Sequence, residues 1–165
     1  MTRTLIRDVR LIDPERGTEA PGGRLIGGGL IADLLPPDPE GTFDAVIDAE
    51  GKPLAPGLVD WGVKVSEPGE RHKESFRSAG LSAAAGGVTT IVTRPDTTPA
   101  IDTPEILEFV ARRAALDSPV RVLPMAALTK GREGREMTEL AFLRDAGAVA
   151  FTDAGAVTED TRVLA

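Results

Sequence analysis

The chemistry open to this chain is bounded first by what it lacks. It has no cysteine and no tyrosine, and His72 is its sole histidine. Disulfides, thiolate zinc sites, iron-sulfur clusters and cysteine nucleophiles are therefore excluded. A site with two imidazoles cannot be built from this chain, and a Ser-His-Asp triad would rest on His72 alone. The run Lys130-Gly-Arg-Glu-Gly-Arg135 concentrates cations as an anion-binding loop would. Glu133 and Glu136 offset that charge, so the run is read as a charged surface loop ahead of a helix. Neither a GxGxxG nor a GxxxxGK[ST] signature occurs, which leaves the common modes of nucleotide binding without support.

The elements that must position any site fall into two stretches. Residues 1–55 are turn-rich and β-forming: Thr4 to Ile12 and Asp44 to Asp48 read as strands, while Gly22-Gly23, Gly27 to Gly29, Pro36-Pro37 and Pro39 read as turns. Residues 56–165 alternate strands and helices. Strands are expected at Leu58 to Val65, Val88 to Thr93, Val120 to Leu123 and Ala148 to Thr152. Helices are expected from about Arg71 to Ala85, from a Thr103 cap with Pro104 at the first position, and over Glu136 to Ala146. Strands about thirty residues apart, joined by helices, imply a parallel sheet. Four such units are half of an eight-stranded barrel, which takes roughly 250 residues. The expected fold is therefore α/β: the N-terminal half of a (β/α)8 TIM-type barrel behind a small β-sandwich segment, truncated after strand four. Ligands of such folds sit beyond the carboxyl ends of the strands, so those are the places to read. Trp61 is read as a core side chain in preference to a barrel-mouth residue.

A formal net charge of −7 argues against a phosphate-tracking surface, and no nucleic-acid partner is expected. The stretch from Leu81 to Thr93 is too short and too glycine-rich to span a bilayer, and Met1 to Asp13 lacks the apolar run of a signal peptide. The expected setting is cytoplasmic, with no membrane partner.

At the strand ends the chain resembles one family along most of its length. The runs Pro56-Gly-Leu-Val-Asp60, Glu67-Pro-Gly69, Lys73-Glu74, Ala83-Ala-Ala-Gly-Gly-Val-Thr-Thr90, Pro95-Asp-Thr-Thr-Pro99, Ile101-Asp102, Ala127-Leu-Thr-Lys-Gly131 and Ala148-Val-Ala-Phe-Thr-Asp153 occur in its order. They resemble the N-terminal half of a dihydroorotase of the amidohydrolase superfamily. The resemblance implies a metal-assisted barrel with a small β-sandwich, and the cyclisation of carbamoyl aspartate to dihydroorotate in pyrimidine synthesis.

The catalytic positions implied by that resemblance are changed. The His-x-His that holds zinc after strand one is matched by Gly62 and Lys64. Glycine offers no ligand atom, and an ammonium repels a cation. The arginine that grips the substrate carboxylate is matched by Ser66, which cannot form the bidentate charged pair. The asparagine of the Pro-Asn-Thr motif is Asp96, a carboxylate facing an anionic substrate. The bridging aspartate after strand four is Ala154, with Asp153 beside it as a weak remaining metal candidate. Lys64 is expected either to pair with Asp153 or Asp96 or to reach solvent. His72 matches no catalytic position and is read as a solvated residue at the start of the first helix.

No cofactor is expected from this half. The implied role is a non-catalytic, structural or regulatory one, with aspartate transcarbamoylase as partner and a homo-oligomer as the state of the longer protein. The alternative is an active cyclic amidohydrolase with an incomplete or relocated zinc site.

Overall fold

The computed structural model describes residues 2–159 and 161–164, and it divides between Pro56 and Gly57 into two compact units. The first unit is a five-stranded sheet built on β1 (Arg3–Asp13). β2 (Thr18–Gly27) pairs antiparallel with β1, and β3 (Leu30–Leu35) pairs antiparallel with β2. β4 (Ala45–Asp48) and the short β5 (Pro53–Leu54) run parallel to β1. Leu5, Val9 and Leu25 are its buried apolar residues. Register shifts between Ile6 and Val9, and Asp8 between them has φ of 49°.

Gly22 and Gly23 do not form a turn; they lie inside β2, flanked by neighbouring chain. A Cβ on Gly22 would come within 2.5 Å of Leu11 Cδ1, and one on Gly23 within 3.2 Å of the Ile6 carbonyl. Glycine in a strand interior marks such a close approach, a use that reads like punctuation in sequence.

In the second unit β6 (Leu58–Val63), β7 (Val88–Thr93) and β8 (Arg121–Pro124) form a parallel sheet in that order. The helices α1 (Phe76–Ala85), α2 (Pro104–Asp117) and α3 (Leu140–Asp145) alternate with them. Their apolar stripes meet the sheet in a core of Val65, Phe76, Ile91, Leu107, Val110 and Leu143, all 2% exposed or less. The β-branched run of β7 falls in the middle of that sheet, and its second half, Ile91 to Thr93, is buried on both faces.

Helix α1 starts five residues later than the expected Arg71, because Ser75 caps it. The Ser75 hydroxyl accepts the Ser78 N–H and the Ser78 hydroxyl accepts the Ser75 N–H, a reciprocal cap. His72 is exposed in the preceding turn. Helix α3 is much shorter than the expected Glu136 to Ala146. Its first residues are spent on other bonds: the Glu136 carbonyl accepts the Lys130 N–H, Met137 bridges to Thr129, and the Thr138 hydroxyl donates to the Ala127 carbonyl at 2.8 Å. The expected fourth strand is reduced to a parallel bridge between Ala126 and Phe151, held by backbone bonds from Val149, Ala126 and Thr152. Trp61 is not in the core. It is 64% exposed on β6, which among the described residues pairs only with β7, and is not part of the cluster around Phe76 and Ile91.

Helix α1 packs closely at Gly80, where an added Cβ would meet Ser118 Oγ at 2.4 Å and Pro119 Cδ at 2.6 Å. Gly80→Val is expected to lower stability by about 1–3 kcal/mol through overpacking. Urea denaturation checks this, and an unchanged midpoint at equal slope would refute the close packing.

Candidate active site

The site stands on the loops that leave the carboxyl ends of the strands. Gly62 lies near the end of β6; Lys64 follows the strand, and the loop then buries Ser66 and Glu67. Glu67 is the anchor of this loop. Its side chain is 6% exposed; Oε2 accepts the Phe76 N–H at 3.1 Å, and Oε1 lies 3.3 Å from Arg113 Nε and 3.5 Å from Arg71 Nε. Arg113 and Arg71 also reach Asp117, at 2.5 and 3.5 Å. One buried carboxylate thus ties the first loop to the starts of α1 and to the middle of α2.

After β7 come Arg94 and Asp96. The Asp96 side chain is 7% exposed, and its Oδ2 lies 2.7 Å from Arg94 Nη2 and 3.2 Å from Lys64 Nζ. Lys64 therefore pairs with Asp96 and not with Asp153, while its own side chain remains 54% exposed. Asp96 Oδ1 and Arg94 Nε are buried without a hydrogen-bond partner. Arg94, which the sequence did not single out, also donates to the Ala154 carbonyl at 3.4 Å. Its significance lies in contacts sixty residues apart, for which the local sequence carries no signal.

After the fourth-strand segment, Asp153 is buried and fully engaged. Oδ1 accepts the N–H groups of Leu128 and Thr129 at 3.0 and 2.9 Å, and Oδ2 accepts the Thr129 hydroxyl at 2.6 Å. Those bonds turn the carboxylate toward the loop after β8. Ala154 next to it has φ of 41°, a left-handed conformation uncommon for a non-glycine residue. Arg132 reaches across to this turn, donating from Nε to the Asp153 carbonyl and from Nη2 to the Ala154 carbonyl, both at 2.9 Å. The 130–135 run is thus only partly a surface loop. Lys130 pairs with Glu136, which raises the lysine's pKa through a side-chain hydrogen bond and charge, and Arg135 lies 4.0 Å from Glu133. Arg132 is half-buried, and no carboxylate pairs with it among the described residues.

The structure brings Lys64, Arg94, Asp96 and Ala154 together, sets Asp153 apart, and leaves a cleft of about 540 Å³ lined by Trp61, Gly62, Arg94, Phe151 and Ala154. Zinc does not fit this donor set. Gly62 and Ala154 contribute no donor atom, Lys64 and Arg94 are cations already engaging Asp96, and both Asp153 oxygens are committed to Leu128 and Thr129. No group of three or more His, Asp or Glu side chains stands close enough to hold a metal among the described residues.

Because Lys64 is half-exposed and Asp96 keeps Arg94 as a partner, Lys64→Met is expected to change stability by less than about 1 kcal/mol. Asp96→Ala strips the carboxylate from both cations and is expected to cost about 2–3 kcal/mol. Parallel thermal unfolding of the two variants checks the order, and equal effects would contradict the geometry.

A parallel sheet with alternating helices, its unusual residues collected at the strand ends, is the arrangement of the N-terminal portion of a (β/α) barrel. L-Hydantoinase (dihydropyrimidinase) from Arthrobacter aurescens superposes with a TM-score of 0.77 at 26% identity, over 92% of this chain and 32% of the hydantoinase. The chain belongs to the dihydroorotase-like family, whose model matches residues 51–162. It is 40% identical to the dihydroorotase of Sulfurihydrogenibium sp. (strain YO3AOP1), over 97% of this chain and 38% of the relative. It is 42% identical to the dihydroorotase of Thermus aquaticus, over 98% and 37%. The chain therefore spans under two fifths of the length of these relatives. Among the described residues no helix is long and apolar enough to cross a membrane.

Proposed function

We propose that the protein is a dihydroorotase-like component of pyrimidine biosynthesis that does not itself catalyse, and that it acts in the cytoplasm as a structural or regulatory partner of aspartate transcarbamoylase. The observation that carries the inactivity is the replacement of donors by a cation cluster. Metal in a cyclic amidohydrolase polarises the amide carbonyl and lowers the pKa of the attacking water. Lys64 and Arg94 converge here on Asp96, and Gly62 and Ala154 hold no ligand atom. The scaffold is kept while the chemistry is lost: the β6–β7–β8 sheet and its helices pack around an apolar core, and Glu67 still fixes the first loop. That combination suits a surface-presenting role. The partner is suggested by the family resemblance, since some dihydroorotase-like chains lacking the metal ligands form complexes with that enzyme, and a homo-oligomer is the state proposed for the intact protein.

The 40% identity to relatives named dihydroorotase favours a second reading, an active cyclic amidohydrolase whose zinc site is completed by residues outside this chain. One experiment separates them. The intact protein is mixed with aspartate transcarbamoylase, resolved by size-exclusion chromatography, and assayed for dihydroorotate hydrolysis. Co-elution without hydrolysis is expected. Hydrolysis would establish the second reading, and separate elution with no effect on the transcarbamoylase would remove the proposed partnership.

A further inference from the structure

We propose that Arg94 and Arg132 form an oxyanion site at the end of the fourth-strand segment, taking a small carboxylate or phosphate. The two side chains come from loops after different strands and donate to one neutral atom. Arg94 Nη2 lies 3.4 Å and Arg132 Nη2 2.9 Å from the Ala154 carbonyl oxygen. Their Nη2 atoms are therefore no farther apart than those two bonds laid end to end. Like charges so close, and partly withdrawn from water, repel unless an anion lies between them.

The compensation present is incomplete. Among the described residues, Asp96 is the only carboxylate paired with Arg94, it is shared with Lys64, and no carboxylate pairs with Arg132. Asp153 carries a charge nearby, yet its oxygens face Leu128 and Thr129. Donors also remain. Arg94 Nε is buried without a partner, and among the described residues neither guanidinium has an acceptor at Nη1. A planar guanidinium with free donors matches the paired oxygens of a carboxylate or phosphate.

The backbone points to the same place. Arg132 has φ of 61° and Ala154 has φ of 41°. Two non-glycine residues in the left-handed region are thus joined directly by a hydrogen bond from one to the other. Such conformations persist where the surrounding structure holds them, and they collect at ligand clamps. Arg94 and Ala154 both line the cleft beside Trp61 and Phe151, which gives a small molecule a way in. The site is independent of whether the protein catalyses or binds aspartate transcarbamoylase.

Calorimetric titration of the intact protein with inorganic phosphate and, separately, with succinate tests this, each at ionic strength held constant with chloride. Saturable binding of at least one is expected, and the arm that saturates tells phosphate from carboxylate. Arg94→Gln and Arg132→Gln are each expected to weaken it about tenfold or more, the loss of a charge-assisted hydrogen bond. A shift of the Arg94 Nε resonance on titration of the unaltered protein is also expected, and it requires no variant to fold. The proposal is overturned if neither anion binds saturably, or if binding leaves the Arg94 resonance in place and survives both substitutions in folded variants.

Discussion

Glu67→Ala is expected to destabilise the protein by about 3–5 kcal/mol, the cost of removing one partner from a buried charged network. Three groups lose their acceptor at once: the Phe76 N–H in the first turn of α1, and the guanidinium groups of Arg113 and Arg71. Asp117 can still hold both arginines, which caps the loss on that side, but nothing replaces the bond to Phe76. Phe76 itself is 1% exposed and sits in the core with Ile91 and Leu107, so freeing its backbone loosens the start of α1. Glu67→Gln keeps an acceptor and is expected to fall between the two. Chemical denaturation of the three proteins checks the series. A loss under about 1 kcal/mol for the alanine variant would mean that Glu67 is only a surface ion-pair partner.

Asp153→Ala is expected to cost about 3–4 kcal/mol and to leave metal content unchanged. The substitution leaves the Leu128 and Thr129 N–H groups without acceptors inside the protein, and each buried unsatisfied donor costs about 1–3 kcal/mol. The Thr129 hydroxyl loses the same partner while still accepting from the Gly134 N–H, so the loop after β8 is affected along its length. Metal analysis alongside thermal unfolding checks both halves of the result. A stable variant that has lost bound zinc would make Asp153 a ligand.

The parts of the fold set by local pattern were legible before the structure. The β-branched run gives β7 with its ends where the sequence places them, and Pro104 opens α2 as expected, although Thr103 holds the cap position without a side-chain cap bond. What escaped was decided by contacts between distant residues. Gly22 and Gly23 look like a turn because close approach by Leu11 and Ile6 cannot be seen in their neighbours. Helix α3 is short because Glu136, Met137 and Thr138 bond to residues 127–130 instead of to the next helical turn. Trp61 has the composition of a core residue and the position of an edge one. In the site, the departures from the family motifs at Gly62, Lys64 and Ala154 were readable in the sequence, as was a Lys64–Asp96 pair among the choices. Arg94 was not singled out, and Arg132 was read as part of a charged surface loop, since each acquires its role only where it meets the Ala154 carbonyl.

We propose that these strand ends have exchanged a metal site for a cation cluster. The most direct test is the zinc content of the intact protein, purified after growth with zinc and dialysed free of loosely bound ions, with dihydroorotate hydrolysis measured on the same sample. The expected result is no stoichiometric zinc and no hydrolysis. Stoichiometric zinc that supports hydrolysis and is lost together with it on chelation would contradict the account.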